Sequence, residues 1–117
     1  MVTLILILLQ VKHWWVDFVN QSIDEVRSKS HYGDILGIYH SAKHGLLTTV
    51  IFYLALDPLD AVFIGLVDFV AHYHIDWAKM NWGNRDINNP KFWNHLGLDQ
   101  MAHQIVYIGL ILIAAYT

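Results

Sequence analysis

The stretch Asp68-Phe69-Val70-Ala71-His72-Tyr73-His74-Ile75-Asp76-Trp77 closes an apolar run that begins near Ala61. Asp68, His72 and Asp76 follow one another at intervals of four, so on a helix they stack on one face, a turn apart. Ionisable groups on an otherwise apolar helix are expensive to bury and mark function. The same device recurs in three other apolar segments, as His13 with Asp17, His40 with His44, and Asp99 with His103. The fold expected from this pattern is a scaffold that brings the four pairs together.

The composition says where such a scaffold sits. Of 117 residues, 56 % are hydrophobic and 15 % charged, against about 45–50 % and about 25 % in soluble domains. Mean hydropathy is +0.37. This balance suits a membrane protein of a single domain, residues 1–117. A net charge of −3 offers no basic footprint, so nucleic acid is not an expected partner. The absence of cysteine excludes disulfides, iron–sulfur clusters and thiolate zinc sites.

Four spans are expected, arranged as an all-α, up-down transmembrane four-helix bundle. Residues 2–20 read as an uncleaved first span, because no basic region precedes the apolar run and no small-residue cleavage site follows it. Residues 20–34 read as a polar loop, Ile35 to Leu56 as the second span with Asp34 as N-cap, and Asp57-Pro58-Leu59-Asp60 as a tight turn. Ala61 to Met80 is the third span, residues 81–97 a second polar loop, and Leu98 to Tyr116 the fourth span. The short turn makes the second and third spans antiparallel neighbours.

Orientation follows from the cations. Arg27 and Lys29 lie in one long loop, and Lys79, Arg85 and Lys91 lie in or beside the other. Both long loops are therefore expected in the cytoplasm and both termini outside a bacterial inner membrane. Trp14, Trp15, Trp77, Trp82 and Trp93 fall toward the same side, as an interfacial belt would. Lys12 and Lys43 either snorkel to water or lie inside the bundle.

In this topology the pairs fall into two tiers. Asp17, His40, Asp76 and Asp99 form an outer tier near the long loops. His13, His44, His72 and His103 lie one turn deeper, about 6 Å away. Each helix supplies one residue to each tier. Imidazole and carboxylate are the usual ligands of zinc and related divalent metals, and facing helices with paired ligands build metal sites in bundle cores. The expected cofactor is one or two divalent ions, zinc first. A metal with an open position lowers the pKa of its water to near 7, and Asp17, Asp76 and Asp99 are then candidate general bases. Without metal, the same pairs would serve as interhelical hydrogen bonds. His31 and His74 are assigned solvent or interface roles, and His95 a place in a lid. Asp68 is read as a third-tier ligand or proton relay, and Gln21 as lining the entrance.

The blocks His13-Trp-Trp-Val-Asp17-Phe18 with Gln21, His40-Ser-Ala-Lys-His44-Gly45, His72-Tyr-His-Ile-Asp76-Trp77 with Lys79, and Asp99-Gln100-Met-Ala-His103 carry a resemblance. Together they resemble a small membrane-protein family of bacteria and phages, domain-of-unknown-function family 3307. The resemblance implies a compact multi-span membrane protein and supplies no activity. The chain is more loosely similar to small bacterial inner-membrane proteins predicted to be metal-dependent hydrolases.

Two functions compete on this evidence. One is a metal-dependent hydrolase of a membrane lipid or lipid-linked substrate. The other is a non-catalytic phage or bacterial membrane effector with a structural polar core. Haem ligation by paired histidines is a third, more distant reading. The lateral surface of four short helices leaves room for self-association or a membrane-protein partner.

Overall fold

The computed structural model describes residues 1–117 as helices and connections, with no strand. Helix α1 spans Val2–Trp14 and continues into a π-helical turn, Trp15–Val19. A short α2, Ile23–Ser28, follows, then α3 (Ile35–Phe52), α4 (Pro58–Trp82) and α5 (Pro90–Ala115).

Local chemistry explains the boundaries. Ser22 and Glu25 form a reciprocal capping box at the start of α2, the S-x-x-E pattern that satisfies two free amides at once. The first polar loop therefore contains a helix that polarity alone concealed. Asp34 caps α3 as expected, accepting from the Leu36 amide at 3.1 Å. α3 ends at Phe52, short of the expected Leu56. Pro58 opens α4, with Asp57 capping it. Pro90 likewise opens α5 behind the Asn89 cap, so the second half of the 81–97 loop is helical. Proline at the first helical position loses no hydrogen bond there and is already set to the helical φ.

Three helical segments are long and apolar enough to cross a membrane: Val2–Val19, Pro58–Trp82 and Pro90–Ala115. Helix α3 is not among them, since His40, Lys43 and His44 interrupt its apolar sequence. Three such segments point to a membrane protein.

The radial distribution of polarity agrees. Leu4, Ile7 and Val11 on α1, Leu66 and Val70 on α4, and Ile105, Ile108 and Leu112 on α5 are all exposed. The interior instead holds thirteen ionisable or hydroxyl side chains from the four long helical segments: Lys12, His13, Asp17, His40, Ser41, His44, Thr48, Asp68, His72, Asp76, Asp99, His103 and Tyr107. A surface of large apolar side chains around a polar interior suits a lipid surround.

Helices α3 and α4 make the closest pair, α5 packs on α4, and α1 closes the ring between α3 and α5. Gly45 and Gly65 set the α3–α4 approach. A Cβ on Gly65 would sit 1.9 Å from Thr49 Oγ1 and 2.6 Å from the Gly45 carbonyl oxygen. Small residues at such crossings let backbones meet in membranes.

The interior is divided along its length. Ile5, Leu9, Phe52, Ala61, Ile64 and Leu110 form an apolar plug toward the α3–α4 turn. Above it Lys12 lies inside the bundle, its Nζ 2.8 Å from Asp68 Oδ2 and 3.0 Å from Thr48 Oγ1. Lys43 takes the other course and reaches the loop region, bonding Asn20 and Glu25.

Candidate metal centre

Above the Lys12–Asp68 pair, toward the two long loops, the four His/Asp pairs meet. α1 and its π turn supply His13 and Asp17, α3 supplies His40 and His44, α4 supplies His72 and Asp76, and α5 supplies Asp99 and His103. All eight are buried, none more than 8 % exposed.

Two groups within them could each hold an ion. Asp17, His40, His44 and His72 form one, with ligand atoms within 4.8 Å of one another; His72, Asp76 and His103 form the other. His72 belongs to both. Its Nε2 lies 3.5 Å from Asp17 Oδ1 and 3.4 Å from Asp76 Oδ2. His103 Nε2 is 3.3 Å from Asp76 Oδ1 and 3.4 Å from Asp99 Oδ1.

These separations fall into two ranges. An N–H···O bond measures about 2.7–3.2 Å. Donors around a tetrahedral ion at about 2.0–2.1 Å are about 3.3–3.4 Å apart. The contacts of His72 and His103 follow the second pattern. His40 and His44 follow the first, with Nε2 at 2.9 and 2.7 Å from Asp17 Oδ1. In addition, both ring nitrogens of His72, Nε2 of His103, Nδ1 of His40 and His44, Oδ2 of Asp76 and Oδ1 of Asp99 have no hydrogen-bond partner. Buried polar atoms are otherwise nearly always paired. A divalent ion among them would satisfy the inward-facing ones. It would also offset Asp17, whose carboxylate has no lysine partner, since Lys12 is matched by Asp68, Lys29 by Asp76 and Lys79 by Asp99.

His13 and Asp99 stand at the border of this donor set. His13 Nε2 is 2.7 Å from Gln100 Oε1, and its Nδ1 is 2.9 Å from the Tyr107 hydroxyl. With Gln100 Oε1 accepting, His13 donates from Nε2 and accepts the Tyr107 hydroxyl proton at Nδ1. Gln100 in turn donates to Asp99 Oδ2 at 3.0 Å. The chain Tyr107–His13–Gln100–Asp99 thus fixes the Asp99 carboxyl. The two expected tiers interlock, because Asp17 faces His13 at 3.4 Å as well as His40, His44 and His72.

Several neighbours were not singled out by sequence reasoning. Tyr107 lies one helical turn beyond His103 on the same face of α5, a spacing that would have flagged it. Lys29 arrives from the end of α2, its Nζ 3.2 Å from Asp76 Oδ2. Glu25 lies 3.8 Å from His40 Nδ1 and 2.6 Å from Lys43 Nζ. Gln21 does line the opening, donating to the Asp17 carbonyl at 2.7 Å. Asp68 is committed to Lys12 and Thr48. His74 is exposed and ties α4 to the first loop, with Nδ1 donating to the Val70 carbonyl and Nε2 accepting from Tyr32. His95 accepts from the Asn84 amide at 2.7 Å.

The chain belongs to the family described as "Protein of unknown function (DUF3307)", whose model matches residues 5–117. Comparison with curated proteins and with solved structures gives no match.

Proposed function

We propose that this is an integral membrane protein that binds a divalent first-row ion, zinc foremost, and hydrolyses a membrane lipid or lipid-linked ester. In this reading α3 crosses with the three more apolar segments as a four-helix transmembrane bundle. The long loops and the centre face the cytoplasm, and the termini lie outside a bacterial inner membrane. The observation that carries the proposal is the spacing of His72 and His103 from their carboxylates, tetrahedral-edge length rather than hydrogen-bond length. The unpaired inward-facing atoms support it and disfavour a purely structural polar core.

The ion falls either to Asp17, His40, His44 and His72 or to His72, Asp76 and His103, because the Nε2 of His72 can serve only one of them. A bound divalent ion supplies an acidified water and polarises the bond to be broken. Asp99 stays outside both groups and is held by Gln100, which suits it to accept a proton from water and return it to the leaving group. The Trp and Tyr residues near the loops would place the centre at headgroup depth.

Elemental analysis of protein purified without chelator tests the metal. Turnover of a membrane lipid extract by metal-loaded protein, and its loss in His72→Ala, tests the reaction. Metal-free protein from metal-replete cells, or a His72→Ala variant with full turnover, would end the proposal.

A further inference from the structure

The opening of the centre is small, about 60 Å³, and lined by Asp17, Gln21, Lys29, Asp76, Lys79 and Asp99 among others. Two lysines at the mouth of an acidic site call for explanation. The Lys29 side chain is 10 % exposed and also bonds Gln21. Lys79 approaches Asp99 Oδ2 at 3.9 Å from the other side. With a divalent ion below, that ion and the two ammonium groups together would outweigh the three carboxylates, leaving positive charge at the mouth to face an incoming anion. Lysine is a standard point-charge partner of phosphate.

A second cavity adjoins the first. Between α4 and α5 lies a cleft of about 320 Å³, walled by Ile75, Ala78, Trp82, Leu98 and Ala102. Lys79 and Asp99 line both cavities. A polar mouth and an apolar cleft that share a cation describe the two halves of an amphiphile.

We infer that the substrate is a lipid phosphomonoester, its phosphate between Lys29 and Lys79 and the start of its acyl tail in the α4–α5 cleft. The inference rests on the proposed metal centre. A mouth of this size suits one phosphate group better than a large headgroup, and a dianion matches two lysines better than a neutral carboxylic ester would. Hydrolysis joins a water oxygen to phosphorus and breaks the phosphorus–oxygen bond to the glycerol. Asp99 takes a proton from that water and returns it to the departing alkoxide, leaving diacylglycerol and inorganic phosphate.

The test uses the full chain, zinc-loaded, in phosphatidylcholine nanodiscs. Dioleoyl phosphatidate within the disc is compared with inorganic phosphate and glycerol 3-phosphate in solution. Expected are phosphate release from phosphatidate, binding of phosphatidate at least tenfold tighter than of either soluble anion, and tenfold or greater weakening in Lys29→Gln/Lys79→Gln. Lys29→Arg/Lys79→Arg should recover most of that binding. Ala102→Trp, or the milder Ala78→Leu, should remove the advantage of phosphatidate while leaving inorganic phosphate binding unchanged. Equal affinity for phosphatidate and soluble phosphate would overturn the tail cleft. Unchanged binding in the double glutamine variant, or cleavage of phosphatidylcholine acyl esters instead, would overturn the phosphate site. Zinc content measured on the same samples separates the two levels: zinc retained without phosphatidate binding sinks this inference alone, and no zinc in the parent protein sinks it together with the metal centre.

Discussion

The imidazole rings of His44 and His72 stack with centroids 3.4 Å apart and planes 22° from parallel, and both Nε2 atoms face Asp17 Oδ1. His103 continues the stack on the other side of His72, at 4.0 Å and 27°. Three helices thus align three rings, with the α4 histidine in the middle.

That middle position makes metal stoichiometry a sharp test. Parent protein should carry one ion per chain. Of His103→Ala and His40→Ala, the variant that removes a ligand of the occupied group should lose metal and the other should keep it. His72→Ala should retain least. Plasma mass spectrometry of protein in detergent measures this. Equal metal content in all three variants would refute the central role of His72.

The Lys12–Asp68 pair gives a prediction on stability. Both side chains are at most 5 % exposed, and removing one partner of a buried pair costs about 3–5 kcal/mol because the other charge is stranded. Lys12→Met should lower the unfolding midpoint strongly, and Lys12→Met/Asp68→Asn should recover at least half of the loss. A double variant no better than the single one would show that the pair is not what holds this layer.

The α3–α4 crossing predicts a link between backbone packing and the centre. Gly65→Ala places a methyl against Thr49 and the Gly45 carbonyl. Overpacking of this kind costs about 1–3 kcal/mol, and it should widen the His44–His72 stack and lower metal occupancy. Gly97→Ala, where nothing lies within 4 Å of the new atom, is the matched control and should alter neither. Thermal unfolding and metal content, read together, check both.

Glu25 predicts a pH dependence. Burial pushes its carboxyl up, but hydrogen bonds from Lys43 and Ser22 outweigh this and hold it below its ordinary 4.5. A depressed carboxylate contributes stability that is present above its unfolded value and fades as pH falls through the folded one. Glu25→Gln should therefore cost about 1.5–3 kcal/mol near neutrality, and the difference should shrink steadily below pH 4.5. A gap that stays constant down to strongly acid pH would mean the charge is irrelevant.

The pairs were legible because an interval of four on an apolar helix has one geometric meaning. Asp17, His40, His44, His72, Asp76 and His103 come together as that spacing suggests, with His13 and Asp99 at their border, but the two expected tiers interlock instead of stacking apart. What sequence did not reveal depends on long-range approach or on local departures from ideal helix. Lys29 reaches Asp76 only because α2 folds back over the bundle. The partners of His13 come from α5, far along the chain. Polarity hid α2, although Ser22 and Glu25 carried its signature, and Pro90 read as a loop residue although it begins a helix. Lys12 could have gone either way until the Asp68 carboxylate appeared opposite it.

The π turn at Trp15–Val19, closed by the Asn20 amide on the Trp15 carbonyl at 2.7 Å, holds one residue more than an α turn would need. Helix α1 therefore carries a spare residue beside Asp17, the carboxylate that touches four histidines. Deleting one of these five residues would leave an uninterrupted helix of nearly the same span. The flanking residues would keep their faces, and what would change is the local aim of the Asp17 carboxylate. A single codon thus sets how that carboxylate meets its histidines, and the apolar exterior before the turn would look the same.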